Sequence, residues 1–179
     1  MKRAFLVVPL IAFIAFADKP KVGRASVTAM EESLDKQFAS MFPEDPLMLI
    51  GVTHGAYITG YGVVFTGEVN LAPAAGITPF HQTISREEIA RVHQKDMDRV
   101  PKLKERMREM LVSSAASLDT VPADEQIALA ISLFHFHWEN LSGIPSQIVM
   151  HAAKKTLVAV HSGRSDPSVL ASAVSVEEF

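Results

Sequence analysis

Cysteine is absent from the 179-residue chain. Its absence excludes disulfide bonds, thiol nucleophiles, iron–sulfur clusters and zinc sites built on cysteine. It also excludes a lipid anchor attached to a cysteine after the first apolar segment. The fold must therefore be held together by the packing of its core.

An excess of basic residues is also lacking. The formal net charge is −3, and it becomes −5 if Lys2 and Arg3 are removed with the leader described below. No positive field is therefore expected to hold nucleic acid or an anionic membrane surface. A protein partner or self-association stays open.

A long uncharged apolar run, residues 4–17, follows Lys2 and Arg3. This order, ending in the small residues Ala15 and Ala17, is typical of a secretory signal peptide and predicts cleavage after Ala17. The run is shorter than the roughly 20 apolar residues that cross a bilayer, which disfavours an uncleaved anchor. A buried helix would not explain the preceding basic pair. We therefore expect an exported protein, periplasmic or secreted, with no transmembrane segment in the mature chain.

The expected mature chain has the size of one domain, because removing 17 of 179 residues leaves 162. We expect a flexible leader at residues 18–25 and a single α+β domain at residues 26–162. Residues 163–179 show no periodic pattern and are expected to form a C-terminal tail.

Two elements are predicted in the first half of the domain. Apolar residues recur at three- and four-residue steps from Val27 to Met41, which predicts a short amphipathic helix capped by Ser26. Alternating apolar residues then predict a β-hairpin over residues 47–71, with its turn at Thr59 and Gly60. Gly55 is a competing turn position.

A long helix and a second hairpin are predicted in the remainder. Ser85 and Glu88 form a capping box at the helix start, and Pro101 predicts a kink or two abutting helices. Alternation predicts strands at residues 126–138 and 147–153. The expected fold is thus α+β, with a mainly antiparallel sheet of about four strands, arranged as two hairpins, packed against one long helix.

A histidine cluster is predicted at the end of the strand 126–138. His135, His137 and Glu139 alternate along it, so their side chains would point to the same side. Imidazole and carboxylate groups are zinc ligands, and His54 or His151 could complete a four-ligand site. The alternative is that these histidines are only hydrogen-bonded to neighbours. No cofactor is expected unless this cluster binds zinc.

Motifs for catalysis are not recognised in this sequence. The glycines between Gly55 and Gly67 lack the remaining parts of a phosphate-binding loop, and Ser142 lacks the flanking glycines of a hydrolase elbow. The leading hypothesis is an exported, non-catalytic domain that acts through protein contacts or as an envelope component. A zinc-type metal-binding protein is the second hypothesis, and a hydrolase without a recognisable motif is the third.

Overall fold

The computed structural model describes residues 22–74 and 83–179. Within these residues the chain forms a mixed sheet of six strands and four α-helices, which confirms the α+β class. The predicted signal peptide at residues 1–17 lies outside the described residues. The elements in chain order are α1 (Arg24–Ala39), β1 (Met48–Leu49), β2 (His54–Ile58), β3 (Gly62–Asn70), α2 (Arg86–Ser117), β4 (Gln126–Leu133), β5 (Gln147–Ala153), α3 (Lys154–His161), a 3₁₀ turn (Pro167–Val169), α4 (Leu170–Ala173) and β6 (Ser175–Glu178).

The sheet combines antiparallel and parallel pairing. β1 and β2 both pair with one side of β3, and the order continues through β4 and β5 to β6. β3 and β4 are parallel, whereas the other pairs are antiparallel. The parallel pair arises because α2, with 32 residues and a length of about 48 Å, returns the chain to the starting end of the sheet.

The predicted sheet of about four antiparallel strands is therefore only partly matched. β1 has two residues and β6 has four, and neither shows a period long enough to be recognised. Residues 163–179, expected to be a tail, contain the 3₁₀ turn, α4 and β6, and β6 extends the sheet beyond β5.

The first hairpin is confirmed, with β2 antiparallel to β3. Its turn lies at residues 59–61, and Gly60 has a φ of 83°. This positive φ explains the glycine, because other residues rarely adopt it. Gly55, the competing turn position, lies within β2 instead.

One face of the sheet carries the core. Phe65, Leu129 and Met150 lie side by side on β3, β4 and β5 and are at most 1% exposed. They belong to the same apolar cluster as buried residues of α1, α2 and α3. On the opposite face, Ala130 and Val149 are only half-buried.

The long helix α2 begins with Ser85 as its N-cap, as predicted, but only half of the predicted capping box is formed, because the Glu88 carboxylate pairs with Arg91. The Ser85 hydroxyl accepts a hydrogen bond from the backbone N–H of Glu88, at 3.1 Å. Pro101 lies within a helix that runs from Arg86 to Ser117, so two separate helices are not formed there. Among the residues that the structure describes, no helix combines the length and apolar character needed to span a membrane.

Candidate metal site

The candidate site lies at the carboxyl ends of the parallel strands β3 and β4. β4 ends at Leu133, and the N–H of Phe134 still donates to the carbonyl of Val69 at the end of β3. The chain then turns, because the N–H of Glu139 donates to the carbonyl of Phe136 at 3.0 Å. This turn brings the Glu139 side chain back to His135.

Three side chains meet at this point. Asp96 of α2, His135 and Glu139 each offer one ligand atom, and these atoms all lie within 4.8 Å of one another. Asp96 is 2% exposed, and the side chains of His135 and Glu139 are 8% and 3% exposed. Two carboxylates and an imidazole are thus held together away from solvent.

The hydrogen bond between His135 and Glu139 determines which ring nitrogen is free. Nδ1 of His135 lies 3.0 Å from Oε2 of Glu139. An ionised carboxylate can only accept, so we assign the proton to Nδ1, which leaves a lone pair on Nε2. Nε2 of His135 and Oε1 of Glu139 are both buried without a hydrogen-bond partner. In this tautomer Nε2 points away from Glu139, so an ion held by both residues would bind Nδ1 in place of its proton, and the proton would lie on Nε2 instead.

Asp96 occupies a position on the buried face of α2. Val92 and Val100, one turn before and one turn after it, are both buried. Burial raises the pKa of Asp96 from 3.8 to about 6, the His135 ring opposes the rise and the Glu139 carboxylate adds to it. Desolvation disfavours the charged form, and a neighbouring negative charge acts in the same direction.

The basic residues on either side of Asp96 are paired elsewhere. Nζ of Lys95 lies 2.6 Å from Oδ2 of Asp45, and Nη2 of Arg99 lies 2.8 Å from the same oxygen. Arg99 also donates to the carbonyl of Leu71, and its guanidinium lies 4.2 Å from the ring centre of Phe42. Salt bridges at Asp45 therefore hold these two cations, which act on Asp96 only through space and lower its pKa by less than burial raises it.

The structure brings together two of the three residues predicted to form the cluster. His135 and Glu139 are in contact, but His137 is exposed, because the chain turns after Phe136 instead of continuing as a strand. His54 is exposed on β2, where its backbone lies opposite that of Thr66 on β3. His151 lies on β5, with Nε2 at 3.7 Å from Glu177. His54 and His151 are not members of the described metal-ligand group.

Asp96 is the residue that sequence reasoning missed. The apolar stripe of α2 includes Val92 and Val100, and the Asp96 carboxylate lies between them on the same buried face. A charged residue at a buried helical position is unusual and is costly unless it is paired or coordinates a metal. That interruption of the stripe was the available signal.

Three adjoining surface cavities offer a competing location. Their volumes are about 470, 450 and 310 Å³, and all three are lined by Phe42. Their charged lining residues are balanced in sign and are Arg91, Lys95, Arg99, Lys102 and Arg106 against Glu44, Asp45, Asp98, Glu105 and Glu109. The 450 Å³ cavity alone is lined by four cations and one anion, but two of these cations, Lys95 and Arg99, are already paired with Asp45. The buried cluster is therefore the better-defined site.

The donor set of the cluster fits a divalent metal ion. One imidazole and two carboxylates bind zinc and other first-row ions, and two negative charges balance the charge of the ion. Two ligands on a tetrahedral ion with bonds of about 2.1 Å are roughly 3.4 Å apart. The 4.8 Å spread of the three atoms therefore requires side-chain movements on the order of 1 Å.

Comparison of the chain with protein-family models, with curated proteins and with solved structures gives no match.

Proposed function

We propose that this protein is a non-catalytic, extracytoplasmic domain that binds a divalent first-row metal ion through Asp96, His135 and Glu139. The observation that carries the proposal is that Asp96, His135 and Glu139, whose side chains are largely buried, each offer one ligand atom within 4.8 Å of the others. An ion in the cluster would take the place of the proton between Nδ1 of His135 and Oε2 of Glu139, two atoms that are already 3.0 Å apart. Its positive charge would offset the two carboxylates, whose burial is otherwise costly.

Burial favours a structural role for the ion. Catalytic metal sites keep an open position for water or substrate, whereas structural sites are closed. The side chains of His135 and Glu139 are 8% and 3% exposed, which leaves little access for a substrate. The ion would join α2 to the segment that follows β4, and binding would stabilise the fold.

The ligands also favour one class of metal. An imidazole is a poor ligand for Mg²⁺ and Ca²⁺, which prefer oxygen, and Cu⁺ prefers thiolate and thioether sulfur. Zn²⁺ accepts both nitrogen and carboxylate oxygen and is the natural probe. Mn²⁺ and Mg²⁺ are useful comparison ions.

The test is thermal and chemical unfolding of the purified, chelator-treated protein with and without Zn²⁺. At a free concentration of about 100 times the dissociation constant, Zn²⁺ should stabilise the fold by about 2.7 kcal/mol. His135→Gln and Asp96→Asn should abolish this response. His137→Gln is the matched control, because it makes the same change two residues away at an exposed position.

Elemental analysis of the untreated protein complements the unfolding experiment. About one equivalent of metal is expected in the parent protein and in the His137→Gln variant, and none in His135→Gln. A parent protein that binds no divalent ion, or an equal response in all variants, would show that the three side chains form only a hydrogen-bonded cluster.

We also propose that the protein is exported, on the strength of the basic pair and apolar run at the start of the sequence. The intact mass of protein recovered from the envelope or the medium should correspond to a chain that begins at Asp18. A chain that still begins at Met1 and is released only by detergent would contradict the proposal.

A further inference from the structure

The segment from Met48 to Ile58 forms one edge of the sheet. β1 and β2 pair only with β3 among the described strands, so their other side faces away from the sheet. Four of the eight large apolar side chains that are exposed in the described residues lie in or beside this edge, namely Met48, Val52, Ile58 and Tyr61. An edge with unpaired backbone groups and apolar side chains is a template for pairing with another chain.

Side chains of α1 form hydrogen bonds with the outward-facing backbone groups of this edge. Oδ1 of Asp35 accepts a hydrogen bond from the N–H of Thr53 at 2.8 Å, and Oε1 of Glu31 accepts one from the N–H of Gly55 at 2.6 Å. Arg24 donates to the carbonyl of Gly55 at 2.7 Å. These are the backbone groups that an added strand would use.

The spacing of these contacts matches the periods of the two elements. Glu31 and Asp35 are four residues apart, so they share one face of α1. Thr53 and Gly55 are two residues apart, so their backbone groups point to the same side of the strand. Arg24 lies 2.8 Å from Oε1 of Glu31 and holds that carboxylate in place.

Gly55 allows the helix to lie this close to the strand. A Cβ atom at this position would be 2.5 Å from Cγ1 of Val27 and 2.7 Å from the Phe65 ring. A side chain here would force α1 away and would weaken the hydrogen bond that Gly55 donates to Glu31 and the one that it accepts from Arg24.

We infer that α1 covers the β2 edge of the sheet. Its residues Arg24, Glu31 and Asp35 prevent a second copy of this chain from pairing with β2 as an antiparallel strand. Helices that cover an edge and charged side chains beside it are known means of preventing such pairing. The occupant that the edge would accept is the same strand of another copy, because antiparallel pairing of identical strands about a two-fold axis is self-complementary. The inference does not depend on the metal site.

The test compares the parent protein with the double variant Glu31→Ala/Asp35→Ala by light scattering over a range of concentrations. The variant should show at least twice the mass of the parent at high concentration while keeping its circular dichroism spectrum. The control is Glu32→Ala/Lys36→Ala, which removes two exposed side chains at the same spacing on α1 and should keep the mass of the parent.

The absence of cysteine allows the contact to be located. Ala56→Cys, on β2, should be cross-linked between copies by a short bismaleimide in the double variant but not in the parent background. Ser168→Cys, exposed in the 3₁₀ turn (Pro167–Val169), should not be cross-linked in either.

A folded double variant with the mass of the parent would overturn the inference, as would oligomers without a cross-link at position 56. If the double variant does not fold, Arg24→Ala and Asp35→Ala are tested separately, since each removes one contact to the edge. If either single variant associates and is cross-linked at position 56, the inference is supported. If both variants fold and keep the mass of the parent, the inference is rejected.

Discussion

Asp96 and His135, two of the proposed metal ligands, depart from the local rules of the fold. Asp96 lies between buried valines on α2, where an apolar side chain would pack without loss. His135 has a buried ring nitrogen without a partner. Such departures concentrate at functional sites, because the stability they cost is offset elsewhere in the molecule.

The raised pKa of Asp96 gives the metal-free protein a defined pH dependence. The folded-state pKa is about 6 and the ordinary value is 3.8. The folded state therefore binds more protons than the unfolded state between these values, and the free energy of unfolding falls as pH rises through the window. Above pH 6 the loss from this group is on the order of 2–3 kcal/mol.

Asp96→Asn should therefore stabilise the chelator-treated protein at pH 7.5 by up to about 2–3 kcal/mol, because the amide carries no charge to desolvate. At pH 4 the two proteins should differ little, since Asp96 is then protonated in the folded state. Urea unfolding at both pH values measures the difference. Equal differences at pH 4 and pH 7.5 would contradict the assignment of the raised pKa to Asp96.

At the scale of elements, local signals predicted several features correctly. The hairpin turn at Gly60, the Ser85 cap and the strand at residues 147–153 all have such signals within a few residues. The Ser26 cap was wrong, because α1 begins at Arg24 and Ser26 lies inside the helix. No local signal marked the end of β4 at Leu133, because the apolar alternation continues beyond it through Phe134, Phe136 and Trp138. These rings pack on each other, with centres 5.2 and 5.8 Å apart, outside any strand.

The end of α2 depends on a contact that no local pattern contains. Nζ of Lys154 donates to the carbonyls of Leu118 and Val121 at 2.7 Å and to that of Asp119 at 3.2 Å. These acceptors follow the last turn of α2, where carbonyl groups lack helical partners. Burial lowers the pKa of Lys154, and the Asp119 carboxylate opposes the shift. The lysine ties the end of α2 to the start of α3, 36 residues away from Leu118 in sequence.

The candidate site could be predicted only in part, because it too depends on a contact between residues that are far apart in sequence. His135 and Glu139 were predicted to share one face of a strand together with His137, but β4 ends at Leu133 and the turn after Phe136 is what brings these two side chains into contact. The distance in sequence between Asp96 and His135 is spanned by the rest of α2 and the whole of β4. A contact across such a separation depends on the parallel pairing of β3 and β4, which a single sequence does not reveal.

At the scale of the whole molecule, the pairing of β3 with β4 joins the two halves of the chain. Gly62 is the first residue of this ladder and lies opposite Gln126. It has a φ of 134°, and a Cβ atom there would be 1.9 Å from the carbonyl oxygen of Gln126. Gly60, two residues earlier, also has a positive φ of 83°, but a Cβ atom there would meet nothing within 4 Å.

Substitution of these two glycines compares the cost of a strained turn with the cost of disturbing the pairing of β3 with β4. Gly60→Ala should destabilise the protein by about 1–2 kcal/mol, the cost of a positive φ in an open turn. Gly62→Ala should destabilise it by more than about 4 kcal/mol, because the clash is with backbone and is relieved only by moving β3 away from β4. Urea unfolding monitored by circular dichroism measures both. Since the two substitutions add the same methyl group, similar effects would mean that the β3–β4 junction tolerates displacement and that the parallel pairing does not hold the two halves together.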